Sequence, residues 1–429
     1  MSKRYEKSEA LLDLTLKSIP LGTQTFSKST TQFPRGVSPY FIQKGKGSQV
    51  WDVDGNQYTD FINSLAAITL GYNDPDVDAA VKAQMEDGVI FSLAHPIERI
   101  VAEKLIEMVP CAEKVRFGKN GSDATAGCVR LARAFTGRDR IAVCGYHGWQ
   151  DWYIGSTARN RGVPKATREL THPFQYNKIE TLDELFRKHP GEFAGVIMEA
   201  KNSVDPIPGW HESVKELTHK HGALLIFDET ITGFRYANGG AQELFGVTPD
   251  LASFGKGLAN GYPVSAVVGR GDVMKLMEEI FFSFTFGGET LSLAAAGATL
   301  EKLRTKPVIK TMRENGERVK KLVAERIQRY DLGETLSISG DPTWSFVNFL
   351  EHPKTSPWIT KTLFLQEMLA RGIMILTTHN MSYAHTDADI DGLTNAYDEV
   401  LPMISEGVRT GTVEKMLKCK PLEPLFKLR

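Results

Sequence analysis

The chain has 429 residues, 41% hydrophobic and 24% charged, with 51 Lys and Arg against 52 Asp and Glu for a formal net charge of -1. That length suits two domains sharing a cleft, and a balanced charge without blocks of one sign excludes the footprint of a nucleic-acid binder and the polybasic stripe of an anionic-membrane binder. No apolar window could cross a bilayer, residues 1–17 hold no signal-like run, and Cys111, Cys128, Cys144 and Cys419 are too widely spaced for a metal pair or a disulfide framework, so a soluble, cytoplasmic protein without a metal is expected.

In chain order, residues 6–17 read as a short helix, and Pro20, Pro34 and Pro39 keep the stretch to about Gly47 irregular. Gln49-Val50-Trp51-Asp52-Val53 and Tyr58-Thr59-Asp60-Phe61 flank Asp54-Gly55-Asn56 and predict a hairpin, since Asp-Gly supplies positive backbone angles. From about Gly71 to Thr305, helical patterns alternate with the apolar runs 141–143, 195–198, 224–227 and 266–268. Strands buried on both faces and separated by helices predict a largely parallel sheet. After Pro307 come a long amphipathic helix (308–329), strands at 336–339 and 345–350, a helix at 360–371, the run 373–376 and a helix at 387–406. The expected fold class is therefore α/β, with residues 1–70 as an N-terminal segment and hairpin, 71–305 as a large parallel-sheet domain and 306–429 as a smaller α+β domain.

Five segments carry chemistry. Ser253-Phe254-Gly255-Lys256-Gly257 sets a lysine between two glycines, unshielded by neighbouring side chains; desolvated in a pocket, such an amine becomes a nucleophile. The apolar run 224–227 ends in Asp228-Glu229-Thr230, which places a carboxylate at the C-terminal edge of a sheet, where ligands of open α/β folds sit. Lys119-Asn120-Gly121-Ser122-Asp123 opens a helix over 123–136 with Ala124, Cys128, Leu131, Ala132 and Phe135 on its buried face, so Gly121 and Ser122 lie at a helix N-terminus suited to phosphate. Gly145-Tyr146-His147-Gly148-Trp149 follows the run 141–144 and offers an aromatic ring to stack on a flat ligand. The loop Phe284-Thr285-Phe286-Gly287-Gly288-Glu289-Thr290 is rich in small and hydroxyl residues and could reach a phosphate of its own or a partner subunit. Each segment alone has an ordinary structural reading, as a solvated lysine, a helix cap or a core aromatic.

Their order removes much of that ambiguity. Asp228-Glu229-Thr230-Ile231-Thr232-Gly233-Phe234-Arg235, then Gly239-Gly240-Ala241-Gln242-Glu243-Leu244-Phe245-Gly246-Val247-Thr248-Pro249-Asp250-Leu251, then Gly255-Lys256 resemble the signature of class III aminotransferases. Trp51-Asp52-Val53-Asp54-Gly55-Asn56, Asn120-Gly121-Ser122-Asp123-Ala124, Arg130-Leu131-Ala132-Arg133, Tyr146-His147-Gly148 and Ala384-His385-Thr386 follow the family's order too, and within it the chain is most similar to the glutamate-1-semialdehyde aminomutases. The resemblance implies the fold type I of PLP-dependent transferases, pyridoxal 5'-phosphate (PLP) as cofactor and a homodimer. It makes Lys256 the Schiff-base lysine and proton shuttle, Asp228 the partner of the pyridinium nitrogen, Gly121 and Ser122 the phosphate site, Tyr146 with the adjoining His147 part of the ring site, and Thr285 a contributor to the neighbouring subunit's phosphate site. Thr230 stands where the family usually has valine, its methyl still able to support the ring.

Two departures bear on substrate. The aminomutases carry an arginine for the substrate carboxylate soon after a Gly-Val-Ser-Ser-Pro segment, where this chain reads Gly36-Val37-Ser38-Pro39-Tyr40-Phe41. Thr377-Thr378-His379-Asn380-Met381 replaces the region of their gating glutamate and lacks the arginine with which many relatives receive a second carboxylate. The expected function is amino transfer from an amino acid, glutamate in the first instance, to an aldehyde or ketone, with the intramolecular aminomutase as the alternative. Relatives without the carboxylate arginine build amino sugars of bacterial surface polysaccharides such as lipopolysaccharide, so the resemblance implies a sugar-derived aldehyde, with Tyr40, His379 and Asn380 as its hydrogen-bonding contacts. An NAD-dependent oxidoreductase is disfavoured because no Gly-x-Gly-x-x-Gly follows the first strand. A cofactor-free scaffold is disfavoured because the lysine and the aspartate are both present.

Overall fold

The computed structural model describes residues 3–423. Contacts divide them into two units: Ala66–Thr69 with Pro75–Ile309, and the remainder, formed by the chain up to Leu65, Leu70–Asp74 and the chain from Lys310 onward.

The larger unit is built on seven strands, β1 (Lys114–Gly118), β2 (Arg140–Cys144), β3 (Thr171–Pro173), β4 (Phe193–Met198), β5 (Leu224–Asp228), β6 (Leu251–Phe254) and β7 (Ser265–Gly269). They lie in the order β1-β7-β6-β5-β4-β2-β3. Strand β7 runs antiparallel to both neighbours, while the pairs from β6 to β3 are parallel. Every residue of β4, β5, β6 and β7 is buried, as a sheet covered on both faces requires. This direction rule positions the site. Strands β1, β2, β4, β5 and β6 all end at one edge, and β7 begins there, so the segments that leave or enter these ends converge.

The helix Gly121–Thr136 starts two residues before the expected 123. Asn120 caps it, accepting from the Asp123 N–H while the Asp123 carboxylate accepts from the Asn120 N–H, and Gly137 ends it at φ +66. Ala124, Cys128, Leu131 and Ala132 are fully buried in the core beside Ile141, Ile197, Ile226 and Val267, but Phe135 is 41% exposed, so the buried face stops a turn earlier than its spacing suggested.

The smaller unit joins the chain up to Leu65 and Leu70–Asp74 to the C-terminal chain. Ile42–Lys46 is a strand within the stretch expected to be irregular; it pairs with Gln49–Asp52, which pairs with Gln57–Asp60 across the Gly55 turn at φ +90. The fourth strand, Ile373–Met374, pairs in parallel with Thr59 and Asp60, so the C-terminal chain completes the N-terminal sheet. A three-stranded antiparallel sheet, Leu336–Asp341, Trp344–Phe349 and Thr378–Asn380, lies in the same unit as the helices Pro357–Ala370 and Asp387–Thr410. All four cysteines are free, and no described group of His, Cys, Asp and Glu could hold a metal ion. No described helix is long and apolar enough to cross a membrane.

Candidate active site

At the converging strand ends lies a cavity of about 440 Å³. Its walls are the segments named by that geometry: Lys119 to Ser122 after β1, Tyr146 to Trp149 after β2, Glu199 after β4, Asp228 and Thr230 to Thr232 at and beyond the end of β5, Lys256 after β6, and Gly261 to Val264 before β7.

Asp228 is 5% exposed. Its Oδ2 lies 2.9 Å from His147 Nδ1, and its Oδ1 accepts from Ser253 Oγ at 3.0 Å and from the Thr230 N–H at 3.1 Å. Burial opposes ionisation, but the His147 hydrogen bond and charge, with the donors of Thr230, outweigh it and leave the carboxyl below its ordinary pKa. The other ring nitrogen of His147 lies 3.2 Å from the Cys144 carbonyl, so the imidazole is held at both ends.

Lys256 sits at φ +41, in the left-handed region that a side chain with Cβ adopts only when its surroundings force it. Extended Gly255 precedes it, and a short 3-10 turn, Lys256–Ala259, follows. Burial lowers its pKa to about 8 although Asp228 and Glu199 pull the other way, so roughly a tenth of the amine is unprotonated near pH 7, far more than for an ordinary lysine. The N–H groups of a helix's first turn have no partner within the helix, and Gly121 and Ser122, which open this one, line the cavity. Close packing demands glycine here: a Cβ on Gly121 would lie 2.7 Å from Thr230 Cγ2, and one on Gly148 would collide with Ser122 Oγ. Tyr146 is 56% exposed and edge-on to Tyr153 at 5.6 Å between ring centres.

Of the residues singled out from the sequence, Gly121, Ser122, Tyr146, His147, Asp228, Thr230 and Lys256 line this one cavity. Thr285 is exposed and lines a second cavity of about 440 Å³ with Phe282, Phe284 and Gly288. The three expected substrate contacts are not among the residues that line this cavity: they lie in the smaller unit with partners of their own. His379 is fully buried between Ser345 Oγ and Tyr397 Oη, each at 2.9 Å, and burial lowers its pKa to about 3. Asn380 is 3% exposed and donates to the Ile62 carbonyl at 2.6 Å. The Tyr40 hydroxyl donates to Glu9 Oε1 at 3.0 Å and accepts the Gly36 N–H at 2.9 Å. Residues 378–380 form a strand of the antiparallel sheet, which engages His379 and Asn380 within it.

Glu199 went unnoticed in the sequence, although it carries the same signal as Asp228, a carboxylate ending an apolar strand. Lys119 also lines the cavity, ion-paired with Glu289 at 2.9 Å, and Trp149 stands 67% exposed at its wall.

The family model for aminotransferase class-III matches residues 32–398. The 3-aminobutyryl-CoA aminotransferase of Cloacimonas acidaminovorans is 33% identical over 417 residues, covering 94% of this chain and 98% of the relative. The glutamate-1-semialdehyde 2,1-aminomutase of Aquifex aeolicus is 34% identical over 428 residues, covering 94% and 99%. Among solved structures, the FumI protein of Sphingopyxis sp. MTA144, determined with PLP, superposes with a TM-score of 0.87 at 28% identity over 94% of this chain and 98% of its own. The cavity's donor set fits that cofactor: an amine of lowered pKa for an aldehyde, a carboxylate of lowered pKa for a pyridinium, a helix N-terminus for a phosphate and an aromatic ring for a flat heterocycle. A family match across most of the chain, a shared fold and a cavity with the right donors lead to one conclusion: this chain belongs to the class III aminotransferases, which depend on PLP.

Proposed function

We propose that the chain transfers an amino group from an amino acid donor, glutamate in the first instance, to an aldehyde or ketone, using Lys256 as the cofactor-bearing and proton-moving residue. The observation that carries this is the Lys256 amine, strained, desolvated and opposite an Asp228 carboxylate kept ionised by His147. Bound PLP supplies the electron sink that makes loss of the substrate's α-proton feasible. The chain's residues would do the rest: Asp228 would hold the proton of the ring nitrogen, Gly121 and Ser122 the phosphate, Tyr146 and Thr230 the ring, and the Lys256 Nζ would take and return the substrate proton. Borohydride reduction of the PLP-loaded protein should label the peptide carrying Lys256; label on another lysine, or none, rejects the assignment.

Amino transfer between two substrates is favoured over the aminomutase because the segment from Gly36 to Phe41 carries no arginine and the hydroxyl of Tyr40 is engaged with Glu9. Glutamate-1-semialdehyde supplied alone is the test, and its isomerisation as fast as two-substrate turnover would restore the aminomutase. The sugar-derived aldehyde leaned on Tyr40, His379 and Asn380 and loses that support. Ala67, Trp149, Ile231, Tyr262, Pro263 and Val264 line the cavity and suit an apolar body beside the carbonyl. Alkyl or aryl aldehydes should therefore react with the amine form of the enzyme at least as fast as polyhydroxylated ones in stopped-flow absorbance.

The homodimer belongs to the same proposal. Leu93 is 85% and Phe281 82% exposed, with Phe91, Phe284 and Phe286 exposed nearby in sequence, an apolar display a monomer would leave in water beside Thr285. An active monomer at assay concentration in sedimentation would refute it.

A further inference from the structure

Glu199 lines the cavity and has no task in the proposed function. It follows Met198, which pairs with Phe227 on one side and Cys144 on the other, so it stands level with Asp228 and with Gly145 at the edge of the parallel sheet. Its Oε2 accepts the Tyr146 N–H at 3.2 Å. Gly145, at φ +108, leaves the space, because a Cβ there would collide with that oxygen. The turn so held presents Tyr146 to the cavity and His147 to Asp228.

The two carboxyls are served unequally. Asp228 has His147, Ser253 and the Thr230 N–H, whereas Glu199 has the Tyr146 N–H alone among the described residues. When two carboxyls share a site with unequal donors, one takes the charge and the other keeps the proton. The groups facing Glu199 are His147 and Lys256, which favour its ionisation, Asp228, which opposes it, and the uncharged Cys144, Tyr146, Tyr153 and Tyr176. Burial dominates and raises the Glu199 carboxyl to about 7.

We propose that Glu199 is a positioning residue of the cofactor site: as a neutral carboxylic acid it pins the Gly145-Tyr146-His147 turn, and on ionising it adds a second negative charge that Lys256 faces. Its second half rests on the reading of Lys256 as the cofactor lysine; its first half does not. Infrared difference spectra between about pH 5.5 and about pH 8.5, above the ordinary carboxyl range and on either side of about 7, are the direct test on cofactor-free protein. Wild type should lose a protonated-carboxyl stretch on raising the pH, and Glu199→Gln should show no such loss; a wild-type spectrum without the band overturns the neutral state. With PLP bound, the titration midpoint of the visible absorbance should fall by roughly one unit in Glu199→Gln, as expected for removal of one charge at an effective dielectric of about 20. Equal midpoints overturn the electrostatic role. Glu199→Gln keeps an acceptor for the Tyr146 N–H and should bind PLP within about threefold of wild type, whereas Glu199→Met should lose roughly tenfold, the value of one hydrogen bond. Wild-type PLP affinity in Glu199→Met removes the pinning role. An infrared band together with borohydride label on a lysine other than Lys256 would overturn the reading of Lys256 instead.

Discussion

Two histidines, His147 and His379, are almost wholly inaccessible, and both hold partners at both ring nitrogens. Their neighbours differ. His147 hangs from a turn at the edge of a parallel sheet and faces a carboxylate; His379 lies within an antiparallel strand and faces two hydroxyls. The first arrangement keeps a buried charge beside an open cavity, and the second keeps the imidazole neutral in a packed sheet. Burial and hydrogen bonding alone therefore do not mark a site. A charge maintained against desolvation at the edge of a cavity does.

The sharpest way to break this contrast is Lys256→Ala, which should abolish turnover while the protein stays folded and binds PLP without a covalent link; dialysis-sensitive PLP with no rate above background is the expected result. Next in size, Asp228→Asn should cut kcat by several orders of magnitude with the cofactor still attached, because a neutral amide cannot hold the pyridinium proton. Near-normal rates would reduce Asp228 to the status of His379, a satisfied core group.

His379 itself should act on stability and not on rate. Its pKa of about 3 lies below the unfolded value of 6.5, so the unfolded chain binds the extra proton between them. Its contribution is complete above about pH 6.5 and is lost as pH falls toward 3, at up to about 1.4 kcal/mol per pH unit. Urea midpoints measured from pH 7 to pH 4 should fall less steeply in His379→Gln, with KM for the acceptor unchanged at pH 7. The smallest effect belongs to Tyr40→Phe, which removes the hydrogen bond to Glu9 and should cost about 1 kcal/mol of stability. A large rise in acceptor KM in that variant would return Tyr40 to the substrate.

Strands β2, β4, β5 and β7 of the large sheet were legible because burial on both faces leaves uninterrupted apolar runs, whereas the half-exposed β1 and the three-residue β3 gave no such run; the carboxylate ending β5 and the lysine between glycines were legible because such residues interrupt the pattern where ligands bind. The strand Ile42–Lys46 was not: its residues are exposed or half-buried, and Lys, Gln and Gly give it no apolar signal. Phe135 was placed on the buried face by spacing, but the core ends before the helix does.

By itself the sequence determined the family, the largely parallel sheet and the two residues, Asp228 and Lys256, that mark its ligand edge, since each follows from local pattern and from motifs in a definite order. Only the tertiary structure decided which polar groups are consumed inside and which remain for chemistry. Strand pairing sets that outcome: the same register that brings Glu199 level with Asp228 leaves one carboxyl short of donors, and the ladder that pairs Ser345 with His379 closes a polar cluster upon itself. Hydrogen-bond partners separated by dozens of residues leave no trace in local spacing, so a glutamate at a strand end and a histidine in a strand look alike until the sheets are assembled.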